Sequence, residues 1–304
     1  MLEAGASGEP MSWRGLKRPE SSGAGRWAEL EVFQRKAEFD AWLAESGAAE
    51  LSVQPLERSV VESGNLVAWC PACQHEHRMR FSAGRPNLRE EMACDGCGFN
   101  ARTRAVIDLL GRLQPSANDR IHVTEQISPL YRWLKARYRR LQGSEFVGPG
   151  RFARLKAKAR HLLRHAEFLH IEDVTGLSFA DGSRNFLICC DVLEHVPEYR
   201  LALTEFARVL RPSGWLVLTV PFLAHAAETL VRARITSEGQ LEHLVEPEYH
   251  GDTVSRDGIL AFHTFSWDLL DRVREAGFEE AAWCMSRGLE LGLPGPQWTL
   301  LARR

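Results

Sequence analysis

The stretch "ICCDVLEHVPEYR", residues 188–200, passes from an apolar run into three ionisable groups within a few residues. The apolar part is typical of a strand buried in a parallel sheet. Asp191 ends the predicted strand, and Glu194 and His195 follow it. Because ligands of open α/β sheets bind at the carboxyl ends of the strands, this stretch predicts a central strand and one edge of a binding site.

The segments around this stretch repeat the pattern. From Arg102 onward, predicted helices alternate with short apolar strands, which is typical of a parallel α/β sheet. Four successive predicted strands end in an acid: Glu125, Glu145, Asp173 and Asp191. A row of carboxylates at one sheet edge suits a ligand with an amino group, ribose hydroxyls and an exocyclic amine. Each acid alone could equally cap a helix.

Length and composition narrow the class of protein. A chain of 304 residues can form one large domain, or a medium domain with a small companion. Its 44% hydrophobic and 26% charged residues indicate a globular protein, and a net charge of −2 gives no overall attraction to nucleic acid. There is no run of about 18 apolar residues, and "MLEAGASGEP" lacks the basic start and apolar centre of a signal peptide. We therefore expect a cytoplasmic protein without membrane contacts.

The N-terminal segments carry little patterning. Residues 1–26 are rich in Gly, Ser, Ala and Glu without periodicity, and they predict a disordered tail. Residues 27–65 predict an N-terminal helix and a linker. The helix prediction covers residues 27–45 and rests on apolar residues at helical spacing, which are Leu30, Phe33, Ala37, Ala41 and Trp42.

Two CxxC pairs predict a zinc ribbon over residues 66–101. The ligands would be Cys70, Cys73, Cys94 and Cys97, in a C-x2-C-x20-C-x2-C arrangement. Gly96 and Gly98 suit the tight turns that such pairs need. His75 and His77 are alternative ligands, and four buried thiols without metal are the other interpretation. Since four thiolates leave no open coordination position, we expect Zn²⁺ to be structural.

A family resemblance rests on three consecutive motifs: "DVLEHV" at 191–196, a helix ending "RVLRPSG" at 208–214, and the strand "WLVLTVPF" at 215–222. In these motifs the chain resembles class I S-adenosylmethionine-dependent methyltransferases of the type 11-like group, particularly bacterial members with an N-terminal CxxC…CxxC module. The resemblance implies an α/β fold, with a Rossmann-like seven-stranded methyltransferase sheet and a small N-terminal zinc ribbon. The methyltransferase domain would span residues 102–304, with a lid and substrate insertion at about 223–265.

The resemblance also implies which residues hold S-adenosyl-L-methionine. They are Glu125, Gln126, Glu145, Phe146, Asp173, Val174, Asp191, Val192 and Leu193. Glu145 would hold the ribose hydroxyls, Asp173 would meet the adenine amine, and Asp191 would lie near the sulfonium. His195 would have a structural or cofactor-side role. The loop "VTEQISPLY", residues 123–131, departs from the family pattern because it lacks the glycines that let backbone amides approach the methionine part.

The predicted insertion contains the candidate bases. We favour His250, in "PEYHGD" at 247–252, followed by His225 and His263. A histidine suits proton removal because its pKa lies near neutrality. The competing interpretation is a solvated loop with incidental histidines.

These observations predict a methyltransferase that acts on an O or N atom of a small-molecule or sugar-type acceptor. One alternative is an RNA methyltransferase that uses the zinc ribbon and residues 132–164, which begin with Arg132, end with Arg164 and hold eleven Lys or Arg and one acid. A solvated helix face explains the same basic residues. Tyr131, Trp133 and Tyr138 are at helical spacing and are expected to pack inward. The other alternative is a non-catalytic zinc-ribbon scaffold with a degenerate cofactor site.

Overall fold

The structure is a computed structural model, and it describes residues 13, 16, 26–46, 62, 64, 66–81, 87–148, 151–165, 167–251 and 258–304. The α-helices are α1 (Lys36–Ser46), α2 (Leu88–Glu91), α3 (Ala101–Leu113), α4 (Pro129–Lys135), α5 (Arg151–His165), α6 (Tyr199–Val209) and α7 (Asp268–Glu275). Single 3₁₀ turns lie at Leu193–His195 and Leu289–Leu291.

The longer strands are β1 (Glu29–Phe33), β2 (Leu66–Cys70), β3 (His75–Arg80), β5 (Ile121–Val123), β6 (Leu141–Gly143), β7 (Arg184–Cys190), β8 (Leu210–Thr219), β15 (Glu280–Gly288) and β16 (Leu293–Arg303). The short strands are β4 (Ala93–Cys94), β9 (Leu230–Val231), β10 (Ala233–Ile235), β11 (Leu241–His243), β12 (Tyr249–His250), β13 (Ile259–Leu260) and β14 (His263–Thr264).

The main sheet is mixed and has seven strands in the order β1-β15-β16-β8-β7-β5-β6. Strands β6, β5, β7 and β8 are parallel, and β16, β15 and β1 continue the sheet with antiparallel pairings. The carboxyl ends of the parallel strands therefore meet at one edge, as the row of strand-end acids predicts. The predicted α/β sheet is confirmed in this general form.

Helices cover both faces of this sheet, and β7 shows why. Leu187 and Cys189 enter the core formed with α6 and α7, whereas Phe186 and Ile188 enter the core formed with α3 and α4. Because successive strand residues point to opposite faces, the uninterrupted apolar run matches a strand that is buried on both sides.

One of the seven strands differs from the expectation. The predicted third strand, "EFLHIED", forms only a single bridge, between Ile171 and Glu145. The side chain of Gln126 donates to the Phe168 carbonyl at 2.7 Å and accepts from the His170 amide at 2.8 Å. These side-chain bonds use backbone groups that a strand ladder would need.

The prediction of one helix over residues 27–45 is wrong at its start. Residues 29–33 form β1, which pairs with β15 from Glu29 opposite Arg287 to Phe33 opposite Trp283, and the helix begins only at Lys36. Leu30 and Phe33 are buried by this pairing. Their spacing fits a helix equally well, so the choice is made by the sheet edge that β15 offers. Most of the predicted linker lies outside the described residues.

Two residues of the predicted disordered tail are held against the sheet. Leu16 is fully buried and its carbonyl accepts from Arg112, and the Trp13 ring packs edge-on against Trp215 at 5.8 Å. The prediction is wrong at these two positions because apolar side chains find a surface to bury. The other residues of 1–25 lie outside the described part of the chain.

The residues around the two CxxC pairs, 66–81 and 87–100, form a small unit that we call the cysteine module. Its three-stranded sheet has the order β2-β3-β4, and α2 precedes β4. Arg104, on α3, is fully buried and donates to the carbonyls of Met92 and Phe99 in the module and Gly292 before β16. One guanidinium therefore fastens the module to the main sheet.

The insertion between β8 and α7 forms three small two-stranded pairs, β9 with β14, β10 with β11, and β12 with β13. Residues 252–257, which include Asp252 of "PEYHGD", lie outside the described residues. The Phe262 amide donates to the Glu194 carbonyl at 2.8 Å and anchors the insertion on the turn that follows β7. Among the described helices, none is long and apolar enough to cross a membrane.

Candidate active site

A cleft of about 920 Å³ opens at the carboxyl ends of β5, β7 and β8. The sheet contributes residues from the strand ends and the loops after them. The cysteine module contributes Asn87, Arg89 and Glu90, and the insertion contributes Glu248, His250, Gly251 and Ile259. The module thus forms a wall of the cleft, which the sequence did not indicate.

Four of the nine predicted cofactor residues line this cleft: Glu125, Glu145, Asp191 and Val192. Leu193 is fully buried in the core beneath it, and Gln126 binds backbone groups of residues 168 and 170. Phe146, Asp173 and Val174 are not among the lining residues either. Asp173 accepts from the backbone and hydroxyl of Thr175 in a local turn, and no helix begins there.

Glu145 organises the loop that lacks glycine. Its Oε1 accepts from the amides of Gln126 at 2.6 Å and Ile127 at 2.9 Å. These amides belong to the loop whose glycines would approach the cofactor in the family pattern. Since Glu145 already binds them, other donors must meet the methionine part of a cofactor in this cleft.

Asp191 lies between two arginines that come from outside the parallel strands. Arg89 Nη2 is 2.9 Å from Oδ1 and Arg102 Nε is 2.7 Å from Oδ2. Burial alone would raise the pKa of Asp191, but Arg102 and Arg89 hold it below its usual range. The backbone of Asp191 is left-handed, with φ of 49°, and Thr219 donates to its carboxylate. A conformation that a non-glycine residue rarely adopts is often found at functional sites.

Glu125 has a different electrostatic environment from Asp191. Burial raises its pKa to about 7, against a Ser128 hydrogen bond and the charge of Arg102. The neighbouring carboxylates of Glu145 and Asp191 add to the rise. Among the described residues, Glu125 Oε1 has no hydrogen-bond partner, so this carboxyl can respond to a charge placed in the cleft.

The turn after β7 and the strand β12 bring together Glu194, His195 and His250. Their ligand atoms lie within 4.8 Å of one another. Glu194 is fully buried, and burial raises its pKa. Glu194, helped by Glu248, raises the pKa of His250 to about 9. An imidazole with this pKa is protonated at neutral pH and cannot accept a proton, so the predicted role of His250 as a general base is not supported.

The other two predicted bases do not reach the cleft. His225 is exposed and its ring faces Phe39 at 6.3 Å. His263 is buried against Tyr199 and Phe265, and burial lowers its pKa to about 4. A base must contact the reacting atom, so the prediction of these two histidines as catalytic is wrong for this cleft.

The four cysteines of the module form a compact cluster. All four Sγ atoms lie within 4.8 Å of one another, with Cys70 to Cys97 at 3.7 Å and Cys73 to Cys94 at 3.9 Å. Zn–S bonds of about 2.3 Å in a tetrahedron require S···S distances of about 3.8 Å. The cluster therefore fits a zinc ion. Of the two alternative ligands, His77 contacts Asp95 and forms a possible metal-binding group with it and Cys94. Among the described residues, His75 belongs to no possible metal-binding group.

The turns that carry these cysteines require glycine at two positions. Gly98 has φ of 76°, which favours glycine. A Cβ at Gly96 would lie 2.5 Å from the His77 ring, so only glycine allows this close approach.

Sequence comparison bears directly on the parallel half of the sheet. Residues 131–218, from α4 to β8, match a family model described as a methyltransferase domain. The matched residues include Glu145, Asp191 and Glu194 of the cleft. This match and the mixed seven-stranded sheet support an S-adenosylmethionine-dependent methyltransferase in general. The chain has no match among curated proteins.

Solved structures with a similar fold include two methyltransferases. One is an S-adenosylmethionine-dependent methyltransferase from Mesorhizobium loti, with 16% identity and a TM-score of 0.40 over 64% of this chain and 95% of that chain. The other is the 1,6-didemethyltoxoflavin-N1-methyltransferase from Burkholderia thailandensis with its substrate and S-adenosylhomocysteine bound, with 15% identity and a TM-score of 0.39 over 67% of this chain and 78% of that chain.

Proposed function

We propose that this protein transfers a methyl group from S-adenosylmethionine to an oxygen or nitrogen atom of a small-molecule or sugar-type acceptor, and that its cysteine cluster holds a structural zinc ion. The observation that supports the proposal is the cleft itself. Glu125, Glu145 and Asp191, from the ends of three parallel strands, converge on it. Its volume is in the range of about 300 to 1,000 Å³ that is usual for small-molecule sites.

The charges in the cleft suit this cofactor. Six acids line it, which are Glu90, Glu125, Glu145, Asp191, Glu194 and Glu248, together with the two arginines Arg89 and Arg102. The cofactor carries a sulfonium, an ammonium and a carboxylate. The acids can stabilise the two cationic groups, and Arg89 and Arg102 are the donors that the methionine carboxylate requires once Glu145 has bound the loop amides.

The bound cofactor supplies an already activated methyl group. The protein's own residues would then mainly orient the acceptor and exclude water. Val192, Pro221 and Phe222 give the sulfonium end of the cleft an apolar side, and the insertion closes the opposite side with Ile259.

The RNA alternative receives less support from the cleft. Apart from Glu145, none of the described residues in 132–164 lines it, and a polyanion would meet its six acids unfavourably. Arg132, Lys135 and Arg137 are exposed, as expected of a solvated helix face. Tyr131 is buried and the Trp133 indole donates to the Ala72 carbonyl, so these two aromatics face the protein.

We expect Glu145→Ala to weaken S-adenosylmethionine binding by about 1.5 to 3 kcal/mol, the range for hydrogen bonds to a charged group. Calorimetric titration measures this. Glu145→Gln keeps an acceptor for the loop amides and should lose less. Glu198→Ala is the matched control, since Glu198 is exposed after β7 and makes no capping hydrogen bond. Equal affinity in all four proteins would show that the cofactor is held elsewhere, and absence of binding to the wild type would favour the scaffold alternative.

We expect cofactor affinity to increase as the pH rises through about 7. The raised pKa of Glu125 leaves part of it protonated near neutrality, and a cationic cofactor favours the ionised form, so binding should release a proton. Because only the fraction of protein with ionised Glu125 binds the cofactor well, the affinity should rise about tenfold between about pH 6 and pH 8. Calorimetry in buffers of different ionisation enthalpy detects the proton. Glu125→Gln should abolish this pH dependence, and a wild-type affinity independent of pH would contradict the assignment.

A further inference from the structure

The carboxylate of Glu194 is buried and has no hydrogen-bond partner of ordinary length among the residues that the structure describes. It is fully buried and lines the cleft, yet neither Oε1 nor Oε2 has a hydrogen bond within the described residues. Its nearest polar neighbours are His250 Nδ1 at 3.5 Å and His195 Nε2 at 3.8 Å, both longer than a normal hydrogen bond. Burying a carboxylate without a close partner is costly, so the site favours a cation among these atoms, either the proton of His250 or a metal ion.

The hydrogen bonds of the two histidines define what they present to Glu194. His195 Nδ1 lies 2.8 Å from the Leu260 carbonyl, an acceptor, so this nitrogen carries the proton and Nε2 has the free lone pair. His250 Nε2 lies 3.1 Å from Glu248 Oε1 and donates to it, so Nδ1 is the nitrogen that faces Glu194, and it offers a lone pair once an ion displaces its proton. Two imidazole nitrogens and one carboxylate therefore converge within 4.8 Å.

We propose that Glu194, His195 and His250 bind a divalent transition-metal ion in the cleft. Two imidazoles and one carboxylate are ligands of intermediate hardness, suited to ions such as Zn²⁺, Co²⁺ or Fe²⁺. Metal-binding histidines usually donate their other N–H to a carbonyl or a carboxylate, and here Leu260 and Glu248 accept these bonds.

The surrounding contacts hold these ligands in place before any ion binds. Arg232 Nη2 lies 3.0 Å from Glu248 Oε2, which fixes the carboxylate that orients His250. The Phe262 amide donates to the Glu194 carbonyl, so the insertion is anchored on the turn that carries two of the ligands. The rings of His195 and His250 meet edge to face at 5.0 Å. The site thus joins the sheet edge to the insertion.

The metal site also implies a class of methyl acceptor, and this part of the inference rests on the proposed function. Three protein ligands leave coordination positions of the ion open towards the cleft, where an acceptor with two neighbouring oxygens, such as a diol or a hydroxy acid, could bind. The ion would lower the pKa of the acceptor hydroxyl, whose proton passes to solvent. The oxygen lone pair then forms the O–CH₃ bond, and the electrons of the broken S–CH₃ bond return to sulfur to give S-adenosylhomocysteine.

Titration of the full chain with Co²⁺, followed by visible absorption, tests the site. We expect one equivalent to give d–d bands without thiolate-to-cobalt charge transfer, because the ligands are nitrogen and oxygen. Glu194→Gln should lose this equivalent, and Glu248→Gln should weaken it about 10-fold to 100-fold, as for other outer-shell partners. Glu246→Gln is the matched control, an exposed glutamate in the same insertion. A cobalt signal that the Glu194 variant retains, or cobalt bound only through thiolates, would overturn the inference.

The same proteins separate this inference from the proposed function. S-adenosylmethionine binding, measured by calorimetry without added metal, should be seen in the wild type and should be equal in Glu246→Gln, which lies outside the cleft. Cofactor binding without cobalt binding would leave the proposed function intact and show that a proton, not an ion, lies between Glu194 and His250. Cobalt binding without cofactor binding would support the metal site and contradict the proposed function.

Discussion

Cys94→Ser should release the zinc ion and unfold the cysteine module, with the largest loss of stability that we expect from any single substitution. Structural zinc in small modules contributes about 10 to 16 kcal/mol of apparent binding energy, and this energy is folding energy. The module's own sheet is small, since it consists of β2, β3 and the two-residue β4, so the ion contributes much of the module's internal stability. Metal analysis and limited proteolysis of the module measure the two effects.

The effect should extend to the cleft, because the module provides one of its walls. Arg89, on α2 between the two CxxC pairs, contacts Asp191 directly, so cofactor affinity should fall together with zinc content. Cys189→Ser is the matched control, a buried cysteine of β7 outside the cluster. It should cost about 1 to 3 kcal/mol for a buried hydroxyl and should keep the zinc. His77 lies near Cys94, so retention of one zinc ion by the double variant Cys94→Ser with His77→Ala would contradict the four-cysteine site.

Local sequence patterns predicted the elements that depend on local physics. Ser128 caps α4 by accepting from the Tyr131 amide at 3.0 Å, and Pro129 is in the first helical position; both residue types are typical of a helix start. The apolar run predicted β7, because a strand that is buried on both faces is apolar throughout. The helical spacing of apolar residues predicted α6, because this helix is buried on one side only.

Features that depend on residues distant in the chain could not be predicted from local sequence patterns. Residues 29–33 become a strand because β15, some 250 positions later in the chain, offers a free edge. Arg89 and Arg102 carry no motif, and only folding brings them to Asp191. For the candidate site, the strand-end acids were predictable from topology, whereas the missing partners of Glu194 depend on side-chain placement in three dimensions.

Arg104→Met should destabilise the protein by about 3 to 5 kcal/mol. Met has a similar length without charge, so packing is largely kept, but the variant removes the donor to the carbonyls of Met92 and Gly292, while the Phe99 carbonyl keeps only the Cys94 amide. Each unpaired group costs about 1 to 3 kcal/mol. Denaturant unfolding measures the change. Arg104→Lys should lose less, because an ammonium can still reach part of this set, and the exposed Arg211→Met is the matched control.

Arg104→Met and Cys94→Ser should differ in what they leave behind. The cysteine cluster does not include Arg104, so Arg104→Met should retain its zinc, whereas Cys94→Ser should not. Loss of the bond to Gly292 frees the module from the segment that leads into β16, and Pro296 and Trp298 of that strand line the cleft. Cofactor affinity should therefore fall even with the zinc in place. If Arg104→Met keeps full stability and full cofactor affinity, then the guanidinium does not fasten the module, and the packing of the module against α3 must hold this wall of the cleft.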